Sequence, residues 1–291
     1  MKNELLFHKL TERIRINDKG GFACYWRRLP VLYPIILRKM KINREVNVPL
    51  FFGDKMNVIT GEVVSSILMS FGYSEVALTA LMLKLIGPGQ SVVDVGTHFG
   101  YEALLASRLV GETGKIACFE PNPAVYQLAQ KNLNKPNVTV HNAAVGDHEG
   151  SVKMLNKPIT ESAFNSITDS AEDGAIDVAL VTLDAVLASR EKPIDFIKCD
   201  VEGFEMEVLN GCIQILTADK PFLVLEADIP SENEKSTKRA GVIADFLSQY
   251  GYEAYAFEMR GAELIIDKLN NLKMSHANVL FVHESKFSAI E

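Results

Sequence analysis

The sequence predicts an α/β fold built on a mostly parallel sheet, and three observations support this prediction. Residues 91–95, SVVDV, are a short β-branched apolar run that passes into a turn containing Gly96 and Gly100. A helical pattern begins at Tyr101, with apolar residues three or four positions apart. Strand-like and helix-like segments then alternate along the chain, a rhythm typical of parallel strands joined by helical crossovers.

The remaining elements are predicted from local patterns. Short helices are expected in the first 45 residues, with breaks at Gly20-Gly21, Pro30 and Pro34, and a hairpin is expected around Gly53-Asp54. Ser74 is the predicted N-cap of a helix that ends at Leu85. Further helices are predicted at 62–69, 124–134, 205–216 (interrupted near Gly211) and 238–250, and strands at 46–52, 56–59, 115–119, 138–142, 151–155, 178–183, 196–200, 222–227, 253–258 and 277–283. The polar segment 156–175 is either a mobile lid or a surface loop, and its length favours the lid.

Composition indicates an ordinary globular protein with one large domain and an appendage. The chain has 291 residues, of which 47% are hydrophobic and 23% charged. Its cysteines contain no C-x-x-C pair, which predicts buried reduced thiols rather than a disulfide scaffold or a zinc site; they are Cys24, Cys118, Cys199 and Cys212. The N-terminus lacks a signal-peptide pattern and no uncharged apolar run is long enough to span a membrane, so we expect a cytoplasmic protein.

Charge is unevenly distributed along the chain. Residues 1–45 hold eleven Lys or Arg against four Asp or Glu, whereas the whole chain has a net charge of −7. This segment, with aromatic Tyr25, Trp26 and Tyr33, could contact an anionic surface such as a phosphorylated carrier, a nucleotide-sugar or a lipid headgroup. A docked helical extension with a solvated basic face is the favoured interpretation. Nucleic-acid binding is disfavoured because the rest of the chain is acidic.

The charges around the glycine turn favour a cationic ligand. Residues 91–107 contain no Lys or Arg, and the turn matches neither the dinucleotide nor the P-loop motif. Asp94 and Glu102 place negative charge where a phosphate would otherwise bind. A ligand with a sulfonium and an ammonium group, such as S-adenosylmethionine, suits this arrangement.

Two further positions support an adenosine ligand. Glu120 ends a predicted strand, where a carboxylate can accept hydrogen bonds from ribose hydroxyls in either a dinucleotide or an S-adenosylmethionine site. The same residue could instead serve as a helix N-terminal carboxylate before Pro121. Asn142 and Ala143 follow the next strand and could contact the adenine.

A second cluster of polar residues lies in 197–205, IKCDVEGFE. Asp200, Glu202 and Glu205 follow a buried strand, and three carboxylates so close together need a nearby cation to stay ionised. A sulfonium, an ammonium, a divalent metal or Lys198 could supply that charge. A solvated helix N-terminus would explain Glu202 and Glu205 but not Asp200. A metal at Asp200, Glu202 and Glu226 is conceivable, but no ligand spacing requires one and we predict none.

Taken in order, these motifs resemble the FkbM-type methyltransferases. The resemblance covers about residues 74–283 and is carried by 94–100 (DVGTHFG), 119–123 (FEPNP), 142–147 (NAAVGD), 182–184 (TLD), 197–205 (IKCDVEGFE) and 208–211 (VLNG). It implies a class I methyltransferase, Rossmann-like fold with a seven-stranded, mostly parallel sheet, which we place in residues 71–291. A basic helical and hairpin extension, residues 1–70, is predicted to precede this domain and lies outside the resemblance. The resemblance also implies S-adenosylmethionine as cofactor and O-methylation of a hydroxyl on a sugar, glycolipid or natural-product intermediate.

The resemblance also implies a set of site residues. The cofactor-binding residues are Asp94, Gly96, Thr97, His98, Gly100, Glu120, Asn142, Ala143 and Asp200. Thr97-His98 replaces the Ala-Asn usual in the family loop. Asp200 is the first candidate for the base that removes the hydroxyl proton, or for a contact to the cofactor amino group, with Glu202 and Glu205 second and His98 and His141 as alternatives. Two other functions stay open: a cofactor-binding protein without catalysis that engages a partner, and a less favoured NAD-dependent oxidoreductase.

Overall fold

The computed structural model describes residues 2–18, 33–37, 39–40, 42–164, 166–168, 174–227, 234–269 and 277–290. Cys24, Tyr25 and Trp26 lie outside the described residues, as do the predicted breaks at Gly20-Gly21 and Pro30, and part of the predicted lid. Cys118, Cys199 and Cys212 are buried free thiols, as expected.

The described elements follow the predicted order. The helices are α1 (Lys2–Asp18), α2 (Val63–Phe71), α3 (Val76–Leu85), α4 (Tyr101–Val110), α5 (Pro123–Asn132), α6 (Leu183–Val186), α7 (Glu205–Asn210), α8 (Ile213–Ala218) and α9 (Glu234–Ser248). The strands are β1 (Glu45–Pro49), β2 (Lys55–Ile59), β3 (Ser91–Val95), β4 (Lys115–Phe119), β5 (Val138–His141), β6 (Ala144–Val145), β7 (Gly150–Leu155), β8 (Ala175–Val181), β9 (Phe196–Cys199), β10 (Phe222–Ala227), β11 (Tyr252–Arg260), β12 (Glu263–Lys268) and β13 (Ala277–His283). Short 3₁₀ turns occupy Ile159–Phe164 and Glu284–Ala289.

The central sheet confirms the predicted fold class and adds one strand. Its order is β12-β11-β13-β10-β9-β3-β4-β5. The strands from β10 to β5 are parallel, whereas β13 is antiparallel to both β10 and β11. The predicted seven strands are thus extended by an eighth, β12, which forms an edge hairpin with β11. Smaller sheets contain β1-β2 and β6-β8-β7.

Side-chain alternation along the strands divides the core into two layers and carries polar groups to one of them. Val92 of β3 packs in the layer that contains α3 and α4, whereas Val93 and Val95 pack in the opposite layer with α7 and α8. Asp94 has the parity of Val92, and Lys198 is its register partner on β9. Two charged side chains therefore lie on the same sheet face, at the carboxyl ends of adjacent strands.

The N-terminal extension packs into the first of these layers. Leu6 and Leu10 of α1 are buried in the same hydrophobic cluster as α3 and α4. The Asn3 side chain donates to the carbonyls of Leu83 and Ile86, and Arg13 donates to the carbonyl of Phe71. Burial of its apolar face and these bonds hold α1 against the domain.

The start of α3 differs from the prediction. Ser74 is not the N-cap: it is buried, and its carbonyl accepts a hydrogen bond from the Thr79 hydroxyl. Glu75 occupies the cap position, with a left-handed backbone at φ 35° and no side-chain cap hydrogen bond. The neighbouring α2 begins conventionally after Glu62, whose buried carboxylate accepts from the backbone N–H groups of Val64 and Ser65.

Among the described helices, none is by itself long and apolar enough to cross a membrane. Taken together, α2 and α3 reach that length and apolarity, but they are bent by 69° at the break between them.

Asn132 joins the N-terminal hairpin to the glycine loop, and its loss should be costly. Its amide exchanges hydrogen bonds with the backbone N–H and C=O of Asn57 and also donates to the carbonyl of Phe99. We expect Asn132→Ala to lower the free energy of unfolding in urea by about 2–3 kcal/mol, because buried backbone groups lose their partners. Asn47→Ala removes only an exposed side-chain hydrogen bond and should change the free energy of unfolding by less than about 0.5 kcal/mol. Equal losses in the two variants would contradict this role.

Candidate functional site

A cleft opens at the carboxyl ends of β3, β4 and β9, where open α/β sheets bind ligands. It encloses about 920 Å³ of space when its open mouth is counted. Val64 of α2 and Ser162 of the first 3₁₀ turn complete its walls. Its polar lining consists of Glu75, His98, Glu102, Glu120, Ser162, Ser166, Lys198, Asp200 and Glu202.

Glycine is required at two positions of the loop after β3. Gly96 has φ 75°, and a Cβ built there would lie 1.8 Å from the backbone oxygen of Asp200. Gly100 has φ 92° and begins α4, where a Cβ would lie 2.8 Å from the Leu133 side chain. Because an L side chain rarely adopts such φ values, both positions favour glycine. The loop can therefore approach the end of β9 as closely as it does.

Lys198 is the central charge at the base of the cleft. Its ammonium donates to the Gly96 carbonyl at 2.9 Å and lies 3.3 Å from Asp200 Oδ2 and 3.7 Å from Asp94 Oδ1. Burial acts to lower the pKa of Lys198, but the surrounding carboxylates, led by Asp200 and Asp94, raise it well above its usual value. Lys198 therefore stays charged.

Asp94 of β3 is the second carboxylate close to the Lys198 ammonium. It is buried, and its Oδ2 accepts from the Thr97 hydroxyl at 2.6 Å. Within the part of the chain that the structure describes, Asp94 Oδ1 has no hydrogen-bond partner. Burial raises the pKa of Asp94, while Lys198 and Thr97 act to lower it.

Asp200 and Glu226 form a carboxyl pair beside Lys198. Burial acts to raise the pKa of Asp200, but Lys198 and a hydrogen bond with Glu226 bring it below its usual value. Burial and the neighbouring Asp200 raise the pKa of Glu226 to about 9. Near neutral pH the pair therefore holds one proton, on Glu226, and one negative charge, on Asp200. A carboxylate oxygen from each of Asp200, Glu202 and Glu226 lies within 4.8 Å of the others, a spacing that a divalent cation could also use.

Glu120 and His98 also line the cleft. Glu120 accepts from the backbone N–H of His98 at 3.0 Å and from that of Asn122 at 2.9 Å, and burial raises its pKa to about 7. His98 has φ 49°, and its Nε2 lies 2.8 Å from the Ser162 hydroxyl. Burial and the nearby Lys198 lower the pKa of His98 to about 4, so the imidazole is neutral at pH 7.

The structure divides the predicted site residues into two groups. Those that line the cleft are Gly96, His98, Glu120, Ala143, Asp200 and Glu202, and those outside its lining are Asp94, Thr97, Gly100, Asn142 and Glu205. The Asn142 amide donates to the backbone carbonyls of Glu120 and Pro121, and so holds the loop after β4. Glu205 is buried and accepts from the Gly203 N–H at 3.0 Å. His141 stacks on Phe119 with ring centroids 4.8 Å apart and lines a different groove.

Sequence reasoning missed Glu75 as a cleft residue, and it treated Lys198 only as one possible counter-ion. Strand parity could have found Lys198, because it sits two positions before Asp200 and opposite Asp94 in the parallel register. Glu102 lies in the first turn of α4 and lines the cleft, where the sequence analysis placed its negative charge. No local pattern identifies Glu75, which reaches the cleft only through the packing of α3.

The raised carboxyl pKa values predict that stability falls with rising pH. Glu226 has a pKa of about 9 in the fold and titrates near 4.5 when unfolded, so between these pH values the native state binds more protons. The contribution of Glu226 to the free energy of unfolding is complete below about pH 4.5. Above that pH it declines by up to about 1.4 kcal/mol per pH unit. Glu226→Gln should therefore unfold at higher urea concentration than the wild type at pH 9, with a difference that narrows at pH 5. Glu149→Gln, at an exposed position, is the control; a pH-independent difference would contradict the pKa shift.

Comparison with known proteins identifies the domain. The family model that describes the methyltransferase FkbM domain matches residues 94–254, which is more than half of the chain. The hexuronic acid methyltransferase AglP of Haloferax volcanii is 26% identical over 148 residues, covering 50% of this chain and 59% of that protein. A protein-L-isoaspartate O-methyltransferase of Methanococcus maripaludis is 32% identical over 102 residues, covering 32% of this chain and 47% of that protein. The chain thus spans about half the length of these relatives.

Among solved structures, the methyltransferase FkbM from Methylobacillus flagellatus aligns with 97% of this chain and 59% of its own, at 13% identity and a TM-score of 0.45. The family match includes the glycine loop, Glu120 and Asp200. The hydrogen-bond acceptors of the cleft suit a cationic adenosine cofactor: Glu120 is placed after β4, and carboxylates surround the loop after β3. The chain therefore belongs to the FkbM-domain methyltransferase family, whose cofactor is S-adenosylmethionine.

Proposed function

We propose that this protein is an S-adenosylmethionine-dependent O-methyltransferase that acts on a hydroxyl of a sugar, glycolipid or natural-product intermediate. The observation that supports this most is the pairing of Asp200 with Glu226, beside Lys198, at the base of a cleft bounded by the glycine loop. A carboxyl pair that holds one proton can accept or relay the proton of an acceptor hydroxyl.

The cleft residues would hold the cofactor as follows. The Glu120 carboxylate, fixed by two backbone N–H groups, keeps lone pairs that can accept from the ribose hydroxyls. The glycine loop offers close backbone approach, and Ala143 leaves room for the adenine. The cofactor supplies a methyl group that is already activated. The main work of the protein is then alignment of the acceptor and exclusion of water.

Removal of the acceptor proton falls to Asp200 and its partner. Asp200 is ionised and lines the cleft, but its lowered pKa alone makes it a weak base. The hydrogen bond with Glu226, whose pKa is about 9, lets the pair share an incoming proton. Glu202 is the second candidate. Glu205 shapes the turn rather than facing the acceptor, and the pKa of His98, near 4, makes it a poor base at neutral pH.

The acceptor class rests on the family and on one relative. AglP is described as a hexuronic acid methyltransferase, which associates this domain type with sugar acceptors. We also propose that residues 1–70 act as a unit appended to the methyltransferase domain of residues 71–291. In support, Val64 of α2 lies on the cleft wall, so the extension covers part of the acceptor entrance. Its basic residues would let it contact an anionic surface that carries the acceptor.

Two measurements test this function. Calorimetric titration with S-adenosylmethionine and with NAD separates the cofactor classes, and heat with NAD alone would refute the proposal. Transfer of labelled methyl groups into glycolipid and polyketide fractions of a host extract tests turnover. We expect Asp200→Asn to lower transfer by about 100-fold or more, and Asp147→Asn, at an exposed position, to retain it. Tight cofactor binding without transfer in any fraction would favour a binding protein that has lost catalysis.

A further inference from the structure

Two carboxylates on the helical wall of the cleft have no part in the function proposed above. Glu75 precedes α3 and Glu102 lies in the first turn of α4, and both line the cleft. We propose that Glu75 and Glu102 together bind a cationic group of the cofactor, its α-ammonium or its sulfonium, and thereby determine the affinity of the site for charged ligands. This inference rests on the proposed use of S-adenosylmethionine.

The backbone and hydrogen bonding of Glu75 hold it in place. Its φ of 35° is a conformation that non-glycine residues seldom adopt, and such strain is kept where the surrounding structure imposes it. Its Oε2 accepts from the Asn278 side chain of β13 at 2.7 Å. One oxygen is thereby fixed to the sheet, while the carboxylate lines the cleft.

The cleft contains too little positive charge for its carboxylates. Of the described residues that line it, Lys198 is the sole Lys or Arg. The Lys198 ammonium is already committed to the Gly96 carbonyl and lies beside Asp200 and Asp94. Even so, the buried Asp94 Oδ1 has no hydrogen-bond partner among the described residues. Among the described residues that line the cleft, Glu75 and Glu102 therefore have no Lys or Arg near them other than this shared Lys198.

The protonation of the pair is consistent with a missing cation. Burial, then the neighbouring Glu75, raises the pKa of Glu102 to about 8. The pKa of Glu75 is also raised, by the protein packed around its carboxylate, although the residue as a whole is exposed. The charged and titratable groups that face the pair are Lys198 and Asp200 of the β9 end, Asp94 of β3 and Tyr101 of α4. A bound cation favours the ionised carboxylates, so binding should release a proton.

Calorimetric dissociation constants for S-adenosylmethionine and S-adenosylhomocysteine test the pair directly, without an acceptor. Glu75→Gln and Glu102→Gln preserve side-chain shape, and Gln keeps an acceptor for Asn278. At pH 8.5 we expect each variant to bind S-adenosylmethionine on the order of tenfold more weakly than the wild type, because a charged hydrogen bond is lost. The matched control is Glu112→Gln, at an exposed position after α4.

The two ligands and two pH values distinguish the outcomes. A loss for both ligands assigns the pair to the ammonium, whereas a loss confined to S-adenosylmethionine assigns it to the sulfonium. At pH 6.5 the Glu102→Gln effect should shrink, because the wild-type Glu102 is then protonated like glutamine; a merely structural defect would persist. If Glu75→Gln and Glu102→Gln bound both ligands with the affinities of Glu112→Gln, the proposed role of the pair would be refuted, while the proposed function would stand. Failure of the wild type to bind S-adenosylmethionine would refute both.

Discussion

Replacement of Lys198 by methionine is expected to lower the free energy of unfolding by about 3–5 kcal/mol. The ammonium is 4% exposed and is the cation between Asp94 and Asp200. Without it, two carboxylates face each other across β3 and β9 with no compensating charge, and breaking a buried pair costs this much. The Gly96 carbonyl also loses its donor, which loosens the glycine loop. Urea unfolding followed by circular dichroism at pH 7 measures the effect.

A matched substitution on another strand of the same sheet separates loss of the charge from loss of a lysine side chain. Lys115→Met, at an exposed position of β4, should change the free energy of unfolding by less than about 0.5 kcal/mol. The cost of Lys198→Met should also shrink toward pH 4, since the orphaned carboxylates can then take up protons. If the Lys198→Met and Lys115→Met variants had equal free energies of unfolding at pH 7, the buried Lys198 charge would not be needed for stability.

Gly96→Ala should be the most damaging change of a single small residue in the site. The added Cβ would lie 1.8 Å from the Asp200 backbone oxygen, and backbone cannot swing aside as a flexible side chain can. The positive φ of 75° adds conformational strain. We expect a loss of about 3 kcal/mol or more in the free energy of unfolding. We also expect at least about a tenfold weaker affinity for S-adenosylmethionine by calorimetry, because the loop must withdraw from β9.

Gly111 offers a control with the same backbone requirement but open space. It has φ 68°, and a Cβ there would meet nothing within 4 Å. Gly111→Ala should therefore cost only about 1 kcal/mol of backbone strain and leave cofactor affinity unchanged. If both alanine variants behaved alike, the positive φ alone would account for the loss, and the close approach of the loop to β9 would carry no cost.

Both predictions concern the junction of β3 and β9, where the family motifs meet in space. The two segments are about one hundred positions apart in sequence but adjacent and in register in the sheet. Asp94 is paired with Lys198, and Gly96 touches the residue that follows β9. The glycine loop and the Asp200–Glu226 carboxyl pair are therefore linked directly through these two strands. A substitution in either segment should affect both cofactor affinity and methyl transfer.

By itself the sequence determined the fold class, the order of the main elements and the cofactor class. Those predictions depend on local information: β-branched runs, glycine turns, helical periodicity and the absence of basic residues near the loop. Strands β3, β4, β10 and β13 begin and end where the sequence pattern places them. No separate strand was predicted at β12, because its hydrogen bonding depends on its partner β11.

Only the tertiary structure decided which charges share the cleft and what their protonation states are. Glu75 enters the site through the packing of α3, and Glu226 is paired with Asp200 across adjacent strands. Conversely, Asn142 and Glu205 hold loops instead of lining the cleft. The physical reason is that burial and through-space distance set these interactions, and neither quantity is encoded in the spacing of residues along the chain.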